Sequence, residues 1–390
     1  MRPGRETTTD ADGRRARTGR ATRRVVLCWL VWVSAVWGIA ALAGRHLPPE
    51  EPHPHPRTAT EVLSTWDGRH YAHIARNGYS SEGVGRLRWA FFPLFPALAR
   101  VAGGRSHAPV AGLLIAQLCA LGAALLLHRE ERDSAGGEPP GLLADPAFWL
   151  LAGPCSFFLG ALYPESLFLL LSISLTAALR RGRAGPAAAA GFLAGLARPT
   201  ALTLPALAAP ALLDRLRRGA GGALPLLLAA TAPFAGIAAY VFWVGAALDD
   251  PLGYTWIQGF WGHRMTVPFL PLARDAAGLV GLDAAFGAPS RVPVGEAALR
   301  LLSTSGVLAL LAAGWRKLDA ADRAYLVVSI VFLHAQEPAS ATPRHEMALF
   351  PVYRLLARTD LGRLRAALAA LFALSQALLL VRHASWLWVS

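Results

Sequence analysis

The stretch STWDGRHYAHIARNGYS, residues 64–80, gathers an acid, two histidines, two tyrosines, two arginines and a tryptophan. It does so within a chain that is otherwise rich in Ala, Leu and Gly. Helical phase places Asp67 on one face with His70, Tyr71 and Ile74, at i+3, i+4 and i+7. Trp66, beside it, suits a membrane interface, with its ring in apolar surroundings and its N–H in water. A carboxylate held at a bilayer rim and shielded by aromatic rings is suited to take a proton from an attacking hydroxyl. The competing reading of Asp67 is a helix cap or a solvated loop acid. Asp67, His70 and His73 do not all fall on one helical face, so no metal site is expected. The HPHP run at 53–56 reads as a linker.

Four further groups carry potential chemistry. Glu165, in LYPESLF, opens an apolar segment, where it either caps a helix or holds an arginine or a sugar hydroxyl. Arg198 lies deep in an apolar region beside Pro199. An intramembrane arginine faces a cavity or a partner, and a phosphate suits its guanidinium geometry; the alternatives are snorkelling or a buried pair with an acid. Arg344 and His345 stand at the start of a short apolar segment and read as a second anion site or as rim charges. Trp261 and Arg264, with Trp256, Gln258 and His263, form a cluster whose rings either pack a sugar or belong to an interfacial aromatic belt. No phosphate-binding Walker loop, dinucleotide GxGxxG or hydrolase GxSxG elbow occurs, which argues against nucleotide-driven cytoplasmic chemistry.

The elements that must position these residues follow from hydropathy. The chain is 54% hydrophobic and only 16% charged, against about 25% charged in soluble domains. Its apolar residues come in blocks near the ~20 residues that cross a bilayer. The formal charge of +13 is almost all arginine, with Lys317 the only lysine, and is read as cytoplasmic loop charge rather than a nucleic-acid surface. Three cysteines, each in an apolar stretch, give no disulfide framework.

Residues 1–24 carry eight arginines against three acids and are expected to be a disordered cytoplasmic tail. Residues 25–390 are expected to form one integral-membrane unit, beginning with a retained helix at 25–44. Residues 45–106 form a first outer loop, with a surface helix over 60–77 and a broken, interfacial segment at 89–103. Further spans are expected at 108–127, 142–160, 163–179, 223–248, 296–314, 323–336, 346–357 and 366–381. A pair of short helices broken near Arg198-Pro199 lies at 185–213, and a second outer loop at 249–294. The fold class is therefore all-α and polytopic, with about 10–12 membrane helices. This topology, drawn from the basic loops alone, brings Asp67, Glu165, the cluster around Trp261 and Arg344-His345 to one extracytoplasmic side.

WDGRHYAHIARNGY, followed by WAFFPLFPALARV and FFLGALYPESLFLLL, resembles the PIG-V-type mannosyltransferases in the order and spacing of the blocks. GLARPTAL, YTWIQGFWGHR and PRHEMALFPVYRLLA are similar to the family's later, looser blocks. Gly153 and Pro164 depart from the family pattern, which commonly has Asn and Ser there. The resemblance implies a GT-C-type fold and an inverting transfer of mannose from a polyprenyl-phosphate donor to a lipid-linked or glycan acceptor. By motif, it puts Asp67 in the place of the catalytic acid of the first outer loop, and Glu165 and Arg198 in matching positions. The expected substrate contacts are Trp66, His70, Tyr71, Glu165, Arg198, Trp261, Arg264, Arg344 and His345. No metal or other cofactor is required, because the donor's energy lies in its phosphate ester. The alternatives are a transporter, which also uses broken helices and intramembrane arginines, and an inactive lipid-binding scaffold.

Overall fold

The structure, a computed structural model, describes residues 8–47, 55–219, 221–282 and 292–387. Apart from one two-residue strand pair, its regular elements are helices. Five helices are long and apolar enough to cross a membrane: Gly19–His46, Leu94–Ala135, Ala223–Leu248, Val294–Lys317 and Leu364–Ala384. The chain is an all-α, multi-pass membrane protein.

The first helix, α1 (Thr8–His46), takes in residues 8–24 of the expected disordered tail, while residues 1–7 lie outside the described residues. Residues 8–24 contain no proline and are rich in Ala and Arg, which favour helix. They extend a helix already nucleated by the apolar run behind them. At 39 residues α1 is about 58 Å long, nearly twice the ~30 Å hydrocarbon core, so its basic part projects beyond the membrane.

The surface helix expected over 60–77 is two helices, α2 (Ala59–Val62) and α3 (Asp67–Asn77). Thr58 and Glu61 form a reciprocal capping box on α2. The apolar segment at 89–103 runs into α4 (Leu94–Ala135) through Gly104, whose φ of 60° and ψ of −164° turn the chain between its two parts. Only glycine takes such angles without strain.

Several expected spans are shorter or broken. The one at 142–160 consists of α5 (Pro146–Ala152) and a 3-10 turn, Ser156–Gly160, because Gly153-Pro154 interrupts it. Asp145 caps α5, its Oδ1 accepting from Ala147 N at 3.0 Å, with Pro146 at the first helical position. The span at 163–179 is α6 (Glu165–Arg180). The pair at 185–213 is α7 (Ala184–Ala197), a 3-10 stretch Pro199–Leu207 and α8 (Ala209–Arg217). It breaks where the sequence places the break: Arg198, preceding Pro199, is extended at φ −156° and ψ 148°.

Helix α9 (Ala223–Leu248) crosses α7 with glycine against backbone. A Cβ on Gly195 would lie 2.3 Å from Pro233 O, and one on Gly236 would lie 2.2 Å from Phe192 O. Small residues give such close crossings in membranes, where no hydrophobic force drives helices together.

The remaining elements are α10 (Gly253–Phe260), β1 (Arg264–Met265), α11 (Leu270–Leu279), α12 (Val294–Gly314), α13 (Ala320–His334), β2 (Gln336–Glu337), α14 (Thr342–Met347), α15 (Pro351–Arg358) and α16 (Leu364–Ala384). The expected span at 346–357 is thus divided between α14 and α15, at a turn before Pro351. Part of the second outer loop, 283–291, and the first half of the HPHP linker, 53–54, lie outside the described residues.

One end of the bundle is closed by charge. Arg354 Nη1 donates to Asp322 Oδ2 at 2.7 Å, and Arg180 Nη2 to the same oxygen at 3.1 Å. Arg358 holds Glu131 bidentately at 2.7 and 2.8 Å, and Arg181 donates to Glu130 at 2.5 Å. These pairs clamp α4, α6, α13 and α15 together at the end of α6 remote from Glu165.

Candidate functional site

The turn before α3 is tied to the segment before α6. Leu162 N donates to Leu63 O at 2.8 Å, and Tyr163 Oη donates to Thr65 O at 3.0 Å. Thr65 Oγ1 lies 2.8 Å from His383 Nε2 on α16. Trp66 then takes φ 55° and ψ −126°, a conformation rare for a bulky residue and costing about 1–3 kcal/mol. Its ring meets Trp386 at 5.4 Å. This turn sets Asp67 in the first turn of α3, where a carboxylate is favoured by the exposed N–H groups.

Further along the helix, the face of α3 that carries Asp67 is anchored. Tyr71 is buried edge-on against Phe91 and Phe95, at 5.3 and 5.6 Å. Ile74 is buried as well. Arg100 Nη1 donates to the carbonyls of Ala75 and Arg76, capping the helix's last turn. His70 stacks on Phe91 at 4.6 Å and meets the ring of Trp261 edge-on at 5.5 Å. Trp261 is in turn fixed by donating from Nε1 to Leu87 O at 3.0 Å. Burial holds the His70 imidazole below its ordinary value of 6.5, with Arg88 and Arg69 adding to the effect and Asp67 opposing it.

Inward from Asp67 runs an alternating chain of acids and arginines. Arg344 Nη1 donates to Asp67 Oδ2 at 2.8 Å, and Arg344 Nε lies 3.4 Å from Glu165 Oε1. Arg198 Nη1 pairs with the same Glu165 oxygen. The last two contacts are ion pairs without the angles of hydrogen bonds, and Glu165 Oε2 has no hydrogen-bond partner. Exposure falls from Asp67 to Glu165: the side chain of Asp67 is 35% exposed, Arg344 12% and Glu165 1%, with Arg198 beyond it at 8%. Of the two acids, Asp67 alone meets the surroundings.

Arg344 is fixed from both sides. Its guanidinium lies over the rings of Phe158 and Tyr163, 5.4 Å from each centroid. Two residues on, Glu346 anchors the short helix α14: Thr304 Oγ1 donates to its Oε1 at 2.8 Å, Ser303 Oγ donates to Oε2, and His334 Nε2 lies 3.2 Å from Oε1. His345, between them, lines a small cavity with Arg198, Thr203, Tyr325 and Ser329. Burial, then the charges of Arg198 and Arg344, push its imidazole well below the usual range.

The structure thus brings Asp67, Glu165, Arg198 and Arg344 into one chain. Trp66, His70, Tyr71, Trp261 and His345 are its supports and neighbours. Glu165 holds arginines, and Arg198 is a buried partner of that acid. Arg264 is elsewhere: β1 pairs antiparallel with β2, Arg264 opposite Glu337, and its Nε donates to Glu337 Oε2 at 2.6 Å. Glu337 takes Arg274 as well, so Arg264 stabilises this strand pair. Among the described residues, no group of three or more His, Cys, Asp and Glu side chains gathers as metal ligands would. Sequence reasoning missed the anchor formed by Ser303, Thr304, His334 and Glu346. The run Arg344-His345-Glu346 was its only local signal.

No family model matches the chain. Over 147 residues it is 35% identical to GPI alpha-1,6-mannosyltransferase 2 of Cricetulus griseus, a match covering 35% of this chain and 28% of that protein. The Mus musculus protein of the same name is 33% identical over 145 residues, covering 35% and 28%. The Homo sapiens protein is 35% identical over 133 residues, covering 31% and 26%. The chain therefore spans little more than a quarter of the length of these curated relatives. Over about a third of its own length, it is PIG-V-like.

Proposed function

We propose that the chain is an integral-membrane, inverting mannosyltransferase that uses a polyprenyl-phosphate mannose donor and an extracytoplasmic lipid-linked or glycan acceptor. The similarity to proteins named as mannosyltransferases supports the sugar and the reaction class. The observation that carries the reading is the graded chain from partly exposed Asp67 to buried Glu165, with an arginine beside each acid.

In this reading an acceptor hydroxyl attacks the anomeric carbon of the bound mannose. Its proton passes to the Asp67 carboxylate, the C1–O bond to phosphate breaks, and the electron pair leaves on the lipid phosphate. Attack opposite the leaving group turns a β-linked donor into an α-mannoside. Arg344 meets the phosphate: it is the guanidinium that already reaches Asp67, and its planar donors suit both the donor's singly charged phosphodiester and the second charge that develops on the leaving lipid phosphate. Arg198, the first phosphate candidate on sequence grounds, instead neutralises Glu165 so that Glu165 can hold Arg344. Phosphate binding at Arg344 draws that guanidinium away from Asp67 and frees the carboxylate oxygen to accept the hydroxyl proton as the donor arrives.

Transfer from polyprenyl-phosphate [14C]mannose to a membrane-lipid acceptor pool tests the reading. The Asp67→Asn protein should lose about 10²–10⁴-fold in rate, as removal of a general base does. Undiminished transfer by that variant would remove Asp67 from the reaction. No transfer by the unaltered protein with any lipid-linked sugar would remove the enzyme reading itself.

A further inference from the structure

We infer that a groove between α1, α5 and α16 binds an anionic phospholipid, its phosphate on Arg20, Arg23 and Arg24 and an acyl chain along α1. The groove has a volume of about 680 Å³ and is lined, beyond those arginines, almost wholly by apolar side chains. Val31 and Ala35 form part of one wall, Phe148 and Leu151 the floor, and Ala373 and Ala377 the other wall.

The placement of charge selects the occupant. Arg20, Arg23 and Arg24 stand at i, i+3 and i+4, on the stripe of α1 that continues through Leu27, Val31 and Ala35. No Asp or Glu is among the described residues that line the groove. Arg24 donates from Nη2 to Pro139 O at 3.2 Å, while its Nε is buried without a hydrogen-bond partner. Three guanidiniums at the mouth of an apolar cleft, where the apolar run of α1 begins, match a phosphate at headgroup depth with hydrocarbon below it.

The stripe from Arg24 to Ile39 is about 22 Å long, more than the ~15 Å of one leaflet, so a full acyl chain fits along it. At the other end of α1, Gly44 packs on Val62 in α2, just before Asp67. The basic mouth therefore lies about 30 Å along α1 from the acid–arginine chain. A lipid held there belongs to the opposite face of the membrane from the donor proposed above, and the inference does not rest on that proposal. Within the groove, Trp32 Nε1 donates to Gln376 Oε1 at 2.9 Å, and Gln376 Nε2 donates to Leu151 O and Gly153 O at 3.0 and 2.6 Å. These bonds hold the three walls in register, so the groove is shaped by the fold.

Native mass spectrometry of the full chain in detergent tests this, with equimolar phosphatidylglycerol and phosphatidylcholine offered together. The expected result is one retained phosphatidylglycerol in preference to phosphatidylcholine. The triple variant Arg20→Gln/Arg23→Gln/Arg24→Gln should lose that preference by about 100-fold, since each arginine contributes roughly fivefold. The variant Ala35→Phe/Ala377→Phe should lose the lipid altogether with its helical circular dichroism unchanged. Inorganic phosphate at millimolar concentration should not displace the lipid, because the chain supplies part of the affinity. Equal retention of phosphatidylcholine, or an unchanged preference in the triple variant, overturns the site. Displacement of phosphatidylglycerol by substoichiometric polyprenyl phosphate overturns the choice of occupant.

Discussion

Arg344 donates from Nη1 to Asp67 Oδ2 at 2.8 Å across 277 residues of sequence. The same guanidinium approaches Glu165 from its Nε edge. In the unliganded protein the proposed base is thus held by a cation that the donor's phosphate would also seek. Replacing Arg344 by Gln should raise KM for the donor more than it lowers kcat. A double-mutant cycle of Asp67→Asn and Arg344→Gln should give a coupling of about 0.5–3 kcal/mol in donor binding, as for directly contacting charges. Additive effects would separate the two residues functionally.

Glu165 is the buried hinge of the charge chain, and its loss leaves Arg198 uncompensated. Glu165→Ala should cost about 3–5 kcal/mol of stability, the usual penalty for orphaning a buried charge. The pair replacement Glu165→Leu/Arg198→Met should recover most of the lost thermal stability yet leave transfer impaired, because Arg344 then lacks its inner partner. Thermal melts and transfer assays on the same preparations distinguish the two contributions.

Acid should weaken the site through its imidazoles. His70 and His345 both have imidazoles lowered from the ordinary 6.5 by burial. A base whose folded value lies below its unfolded one binds fewer protons when folded, so stability rises with pH between the two values. Their contribution is complete above about pH 6.5 and is lost progressively as pH falls below it toward the lowered folded values. His70→Phe, which keeps a ring on Phe91, should flatten part of that acid limb in a melting-temperature profile. An unchanged limb in both His70→Phe and His345→Asn would mean that neither imidazole carries it.

The crossing of α7 and α9 sets the position of Arg198, three residues beyond Gly195. Gly195→Ala would bring a Cβ to 2.3 Å from Pro233 O, and backbone cannot swing aside as a side chain can. The expected cost is about 1–3 kcal/mol of overpacking, read as a lower melting temperature. Gly38→Ala, whose Cβ would meet nothing within 4 Å, should be neutral or slightly stabilising.

Local signals carried much of this molecule. The phase of Asp67 with Tyr71 and Ile74, the break at Arg198-Pro199 and the apolar blocks are written in neighbouring residues, and the structure contains them. Pairing was less legible. Nothing near Arg198 in sequence says that its partner is Glu165 rather than a phosphate. Nothing near Arg264 announces Glu337, because strand β2 reaches it only through the tertiary fold. Two spans, 142–160 and 346–357, are broken in the structure for a related reason. Hydropathy windows pass over Gly153-Pro154 and the turn before Pro351, where the backbone breaks. The basic tail was misjudged because composition alone says nothing of an existing helix from which it can propagate.

The separation of Asp67 from Arg344 also orders events during synthesis. Glu165 and Arg198 belong to neighbouring helices, α6 and α7, and can pair as soon as both have emerged. Arg344 arrives much later: at about 5–20 residues per second, the intervening 277 residues take roughly 15–55 s. For that interval the Asp67 carboxylate stands without its arginine, and Thr65 without His383 of the last helix. The nascent protein therefore carries a finished inner half and an open outer half until α14 is delivered. Truncation between α13 and α14 would leave the membrane with the inner pair in place but a permanently incomplete site.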